Sequence, residues 1–117
     1  MATWKLLLIV SPLVMLIDLI WLGFIMKGFY EAEMGELIRR SGGALAPRWS
    51  AAICVYLLIP AGIVLFARPA MGPNASLSQA FLWGALLGLV VYGVYDFTNR
   101  AVLERWPLRL AIADLVW

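Results

Sequence analysis

Apolar positions in this chain gather into long runs separated by short polar connections, a spacing that predicts membrane-spanning helices before any single residue is considered. Leu6 to Met26 is a 21-residue run interrupted only by Ser11, Pro12, Asp18 and Gly23 and bracketed by Lys5 and Lys27. A helix of that length covers a hydrocarbon core of about 30 Å. An acidic residue inside the run, and no small-residue cleavage site after Gly23, argue against a secretory signal peptide. Residues 50–67 form a second run, with Pro60 as the place for a kink and Arg68-Pro69 and Met71-Gly72-Pro73-Asn74 as its close. Ser76 then caps a third helix over 77–99, in which Ala80, Gly84 and Gly88 repeat at one-turn spacing, the small-residue pattern that lets helix backbones approach closely in lipid.

Two connections are polar. Residues 27–49 hold Lys27, Glu31, Glu33, Glu36, Arg39, Arg40 and Arg48, with Phe29, Met34, Leu37 and Ile38 at loosely helical spacing. That pattern fits a short amphipathic helix on the membrane surface as far as the Ser41-Gly42-Gly43 stop, or an ordered loop. After the second connection, residues 108–117 are apolar again but cover only about 15 Å of helix, half a bilayer. A chain end there puts a carboxylate near the midplane, where charge is costly, so the pattern predicts that a fourth helix continues past Trp117. The expectation is a single integral-membrane domain over 1–117. It is an all-α, polytopic transmembrane helical bundle of three full spans plus the first half of a fourth.

Composition agrees, with 64% hydrophobic and 14% charged residues and a mean hydropathy of +0.92, against about 25% charged in an average soluble domain. A soluble fold lacks the polar surface it needs. With no histidine and Cys54 alone in an apolar run, the usual zinc and haem ligand sets, a Ser-His-Asp triad and a disulfide scaffold are all missing. No metal, no cofactor and no catalytic set are expected, and Cys54 reads as an inert core thiol. Lys5 and Arg68 fall on one side of the membrane, whereas Lys27, Arg39, Arg40, Arg48, Arg100, Arg105 and Arg109 fall on the other. By the positive-inside rule the 27–49 and 100–109 connections are cytoplasmic and the N-terminus is outside. The basic balance is thus a topological signal and no nucleic-acid partner is implied. Trp4, Trp49, Trp106 and Tyr30 fall where an aromatic belt belongs.

Three carboxylates, Asp18, Asp96 and Asp114, interrupt the apolar helices, where each costs several kcal/mol unless it is paired, neutralised or hydrated. With that orientation all three lie roughly 6 to 12 Å below the cytoplasmic interface, at a depth where they can face one another. Asp18 shares a helix face with Ser11, and Asp96 has Tyr92 and Asn99 one turn away. Arg100 and Arg109 are placed to reach toward Asp96 and Asp114, and Lys27 lies near the end of the first helix. One reading makes these buried ion pairs that tie helix ends together; the other makes them a proton-accepting or ligand-binding site that also includes Tyr95. The sequence Asp18-Leu-Ile-Trp21 echoes Asp114-Leu-Val-Trp117, which suggests that Trp21 and Trp117 donate indole N–H groups to the carboxylates.

At these residues the chain resembles the small bacterial predicted membrane proteins grouped as domain of unknown function 2177. The matching pieces are Asp18-Leu-Ile-Trp21-Leu-Gly, Lys27-Gly-Phe-Tyr30, Tyr95-Asp96-Phe-Thr-Asn99, Trp106-Pro107-Leu-Arg109 and Asp114-Leu-Val-Trp117. The resemblance implies a four-helix protein of the bacterial cytoplasmic (inner) membrane, in which the last motif is followed by Gly and a further apolar run. It brings no activity with it. Two functions therefore stay open. One is a non-enzymatic packing or accessory subunit binding membrane lipids, other membrane-protein subunits or a second copy of itself. The other is a proton-linked small transporter or lipid-active membrane enzyme with a cytoplasm-facing Asp/Tyr/Arg pocket.

Overall fold

The computed structural model describes residues 2–41 and 44–117. The architecture is all-α: α1 (Thr3–Ile25), α2 (Lys27–Met34), α3 (Trp49–Met71), α4 (Leu77–Val102) and α5 (Leu108–Val116). Helices α1, α3 and α4 are long and apolar enough to cross a membrane, at 23, 23 and 26 residues. That is a multi-pass membrane protein. Between α2 and α3, Arg40–Ser41 pairs antiparallel with Ala44–Leu45.

Helix ends follow local chemistry. The N–H of Gln79 donates to Ser76 Oγ at 3.3 Å, so Ser76 caps α4 as its hydroxyl suggests. The last turn of α1 is widened, with the Met26 N–H reaching five residues back to the Trp21 carbonyl at 2.8 Å. A second widened turn, Ile63–Ala67, follows Pro60 in α3. Pro69 falls at the start of the turn that follows, where the Arg68 N–H reaches back to the Ile63 carbonyl. Helix α3 therefore continues through Arg68-Pro69 to Met71 and stops at Gly72, whose φ of 79° ends it. The amphipathic helix is also shorter than the polar pattern suggests. It stops at Gly35, where a φ of 53° leaves the helical region, and one tightened turn over Gly35–Leu37 follows. Gly42 and Gly43, the expected stop, lie outside the described residues.

Two compact units emerge, one holding the chain up to Ile20 with Arg48–Leu87 and the other Trp21–Pro47 with Gly88–Trp117. In the first, α1 packs along α3, and the Tyr56 hydroxyl of α3 donates to Asp18 Oδ2 of α1 at 2.7 Å. Gly62 packs there against the Leu87 side chain, which a Cβ on it would meet at 3.5 Å. In the second unit α2 packs on α5, and Gly93 has the matching role against Leu115 at 3.4 Å. Cβ atoms built on Gly84 and Gly88 meet nothing within 4 Å, so the expected seam is not where this chain's own helices press together. Of the most apolar stretch of each span, only 6%, 17% and 0% is buried in α1, α3 and α4, which leaves most of their surface for lipid or other helices. Cys54 is part of that exposed surface and is not the core thiol its apolar neighbours suggest.

Gly35 and Gly28 give a paired test of the α2 boundary. Gly35→Ala should destabilise the protein by about 1–2 kcal/mol through its left-handed backbone, and Gly28→Ala, inside the helix with open space around it, should stabilise it by about 0.5–1 kcal/mol. Thermal unfolding of both variants in detergent checks this, and equal shifts of the same sign would contradict the helix end described.

Candidate functional site

The buried part of the second unit is small and partly polar. Tyr30 on α2, Trp106 in the connection after α4, and Leu110 on α5 form its apolar centre, with Trp21, Leu22, Met26, Phe29 and Met34 packed around it. Pro107 sets up α5: its extended backbone ends the connection, and its carbonyl accepts from the Ala111 N–H at 3.2 Å. Leu110, Ala111 and Asp114 then fall on one helical face, and all three are buried. Asp96, on α4, is the buried residue of a helix otherwise open to its surroundings.

Asp96 is 0% exposed and Asp114 6% exposed. Each accepts a hydrogen bond from an aromatic side chain distant in sequence. Trp106 Nε1 donates to Asp96 Oδ1 at 3.2 Å. The Tyr30 hydroxyl donates to Asp114 Oδ1 and itself accepts from Trp21 Nε1 at 3.1 Å. Burial, and next the hydrogen bond to Asp114, push the Tyr30 phenol above its ordinary range, so it remains a protonated donor at any physiological pH. The Trp21 ring lies flat on Trp117, with centroids 4.3 Å apart and planes 3° from parallel. The Tyr95 ring meets Trp106 edge-on at 5.8 Å.

The second oxygen of Asp96, Oδ2, is buried with no partner in hydrogen-bonding geometry. The neighbouring acid is Asp114, whose carboxyl interacts with that of Asp96. Among the described residues neither carboxyl forms an ion pair. The Arg100 guanidinium donates to the Trp106 carbonyl at 3.0 Å, and Arg109 pairs with Glu33 at 3.5 Å while lying over the Phe29 ring. Arg105 pairs with Glu36 at 3.3 Å between two exposed side chains.

Several expectations change accordingly. Asp96 and Asp114 are brought together, whereas Asp18 is held by Tyr56 in the first unit. The ion pairs Asp96–Arg100 and Asp114–Arg109 are not formed, because a backbone carbonyl and Glu33 offer those guanidiniums partners without dragging charge into the apolar interior. Trp21 donates to Tyr30 rather than to Asp18, and the two echoed tryptophans meet each other. Tyr95 is half exposed with Asn99 beside its hydroxyl, and Tyr92 is half-buried on the same helix. Tyr30 and Trp106, read as interfacial belt residues, are buried donors of the cluster. Tyr56 was given no role by the sequence at all. Helical spacing links residues one turn apart, and these donors lie 84, 10 and 38 residues from their carboxylates. Among the described residues no group of three or more His, Cys, Asp or Glu side chains gathers to hold a metal ion.

Trp106→Phe isolates the donor from the ring. It keeps an aromatic in the cluster but leaves both Asp96 oxygens without an N–H, which should cost about 1–3 kcal/mol. Thermal unfolding should show that loss, while Trp49→Phe, on an exposed ring, should leave stability unchanged.

No curated protein and no solved structure matches the chain significantly. A family model does match, over residues 3–117, and its description is predicted membrane protein, domain of unknown function 2177 (DUF2177). The three spans and the polar cluster drawn from α2, α4 and α5 all lie inside the matched region, and the chain belongs to this family of predicted membrane proteins.

Proposed function

We propose that this chain is a proton-linked membrane protein whose working group is the Asp96–Asp114 pair. The observation that carries the reading is the fully buried Asp96, whose Oδ2 has no hydrogen-bond partner, beside a second buried carboxyl, Asp114, with no ion pair to either among the described residues. Two ionised carboxylates in such a place repel each other and have lost their water. One proton on Oδ2 removes the repulsion and turns the orphan acceptor into a donor toward Asp114. A proton held that way is released or taken up only when the cluster opens, which ties protonation to a change in the packing of α2, α4 and α5. The charge bias of two cations against seven supports an orientation with this end of the chain at the cytoplasmic face of a bacterial inner membrane and the N-terminus outside. An Asp96→Asn variant should fold, lose the infrared band of a protonated carboxyl seen in the wild type at neutral pH, and lose pH-driven proton movement in liposomes. Unaltered proton movement in a folded Asp96→Asn protein would overturn the reading.

The second reading, an accessory subunit, rests on a separate observation: the unburied spans and the open faces at Gly84 and Gly88, with Ala80 one turn before. Helices associate in lipid where small residues let backbones approach, so this face suits another subunit or a second copy, and the remaining apolar surface suits lipid. Cross-linking in native membranes should give an adduct that Gly84→Ile and Gly88→Ile abolish. Adducts that survive both substitutions would place the contact elsewhere.

A further inference from the structure

We propose that Tyr30 is a positioning residue that decides which member of the carboxyl pair carries the proton, keeping the charge on Asp114 and the proton on Asp96 Oδ2. This deepens the proton-linked reading and rests on it. The two acids are chemically identical, so any preference between them comes from their surroundings: Asp96 is the more deeply buried, and the donors to the two differ. Asp114 Oδ1 accepts the Tyr30 hydroxyl, and that hydroxyl accepts from Trp21 Nε1 at 3.1 Å. In such a chain each bond polarises the next, which makes the phenol a better donor to a charged carboxylate. The flat stack of Trp21 on Trp117 holds the indole that begins it.

Asp96 has less. Its one placed donor is the Trp106 indole at 3.2 Å, to Oδ1, and Oδ2 has none. An indole N–H donates a hydrogen bond but supplies no proton at physiological pH, and so Trp106 does not neutralise Asp96. The remaining polar groups around the pair do not reverse the preference. Tyr95, on the same helix, presents its ring to Trp106 and has Asn99 beside its hydroxyl. Arg100 is engaged by the Trp106 carbonyl and Arg109 by Glu33. The better-solvated oxygen set therefore belongs to Asp114, and the proton sits on the carboxyl that lacks one, where it donates to Asp114 and leaves no buried oxygen unpaired.

Tyr30→Phe tests this with little change to the packing, since it keeps the ring of the cluster and removes the O–H. The measurement is infrared spectroscopy of the full chain in lipid nanodiscs at neutral pH, with carboxyl-labelled aspartate. The wild type should show a single protonated-carboxyl band that Asp96→Asn removes. In Tyr30→Phe that band should give way to two bands of comparable intensity, one for each carboxyl, because the pair has lost its asymmetry. A wild-type spectrum with no protonated carboxyl overturns the proton-linked reading itself. A wild-type band that Asp96→Asn removes and Tyr30→Phe leaves single and unshifted overturns the role of Tyr30 alone. Should Tyr30→Phe fail to fold, Trp21→Phe weakens the same donor from one residue further back. It should add a weaker second band for the Asp114 carboxyl beside the first, and a band that stays single there overturns the proposal equally.

Discussion

A carboxyl group that has lost its water and has no cation beside it needs hydrogen-bond donors or a proton, and Asp96 is in that position with Asp114 as its neighbour. Much of the second unit follows from meeting this need. Tyr30 and Trp106 are buried in the cluster as donors to the two acids, Trp21 backs Tyr30, and Trp117 stacks on Trp21. Helix α2 is short, and its contacts to α5 include the buried Tyr30 and the partly exposed Glu33–Arg109 pair.

Lipid changes which contacts matter. Between helices in a bilayer there is little hydrophobic driving force, because acyl chains are as apolar as leucine. Polar contacts and side chains packed on glycines then locate the packing, and each unit shows both. The first has the Tyr56–Asp18 hydrogen bond and the approach of Leu87 to Gly62; the second has the carboxyl cluster and the approach of Leu115 to Gly93. Membrane aspartates act here as fastening points, and they differ in hydrogen-bond accounting: Asp96 keeps a buried oxygen that the fold leaves unpaired.

The arginines show how a local rule yields to a global one. Arg100 is one turn from Asp96, a spacing that favours an internal ion pair, and Arg109 lies five residues before Asp114 on the same helix. Both guanidiniums instead stay toward the surface on a carbonyl and on Glu33. Sinking an arginine into the cluster would strip its hydration for one contact, whereas Glu33, brought in by α2, meets it partway. The acids are left to one another.

Which segments are helical, which are apolar enough to cross a membrane, where Ser76 starts a helix and which three carboxylates deserve scrutiny were all legible in the residues, because composition, 3.6-residue periodicity and capping chemistry act over a few neighbours at a time. The family likeness was legible too, in motifs centred on those aspartates. Three features that bear on the site were not: the early stop of α2 at Gly35, the partners of every buried carboxylate, and the burial of Tyr30 and Trp106. The first turned on one backbone conformation that an amphipathic pattern does not encode. The other two are contacts between residues far apart in the chain, and only the packing of α2 and α5 brings Tyr30 to Asp114, 84 positions away. Sequence by itself determined that charge is buried in this protein; tertiary structure alone decided which groups surround it, because solvation of a buried acid is a property of whatever the fold places next to it.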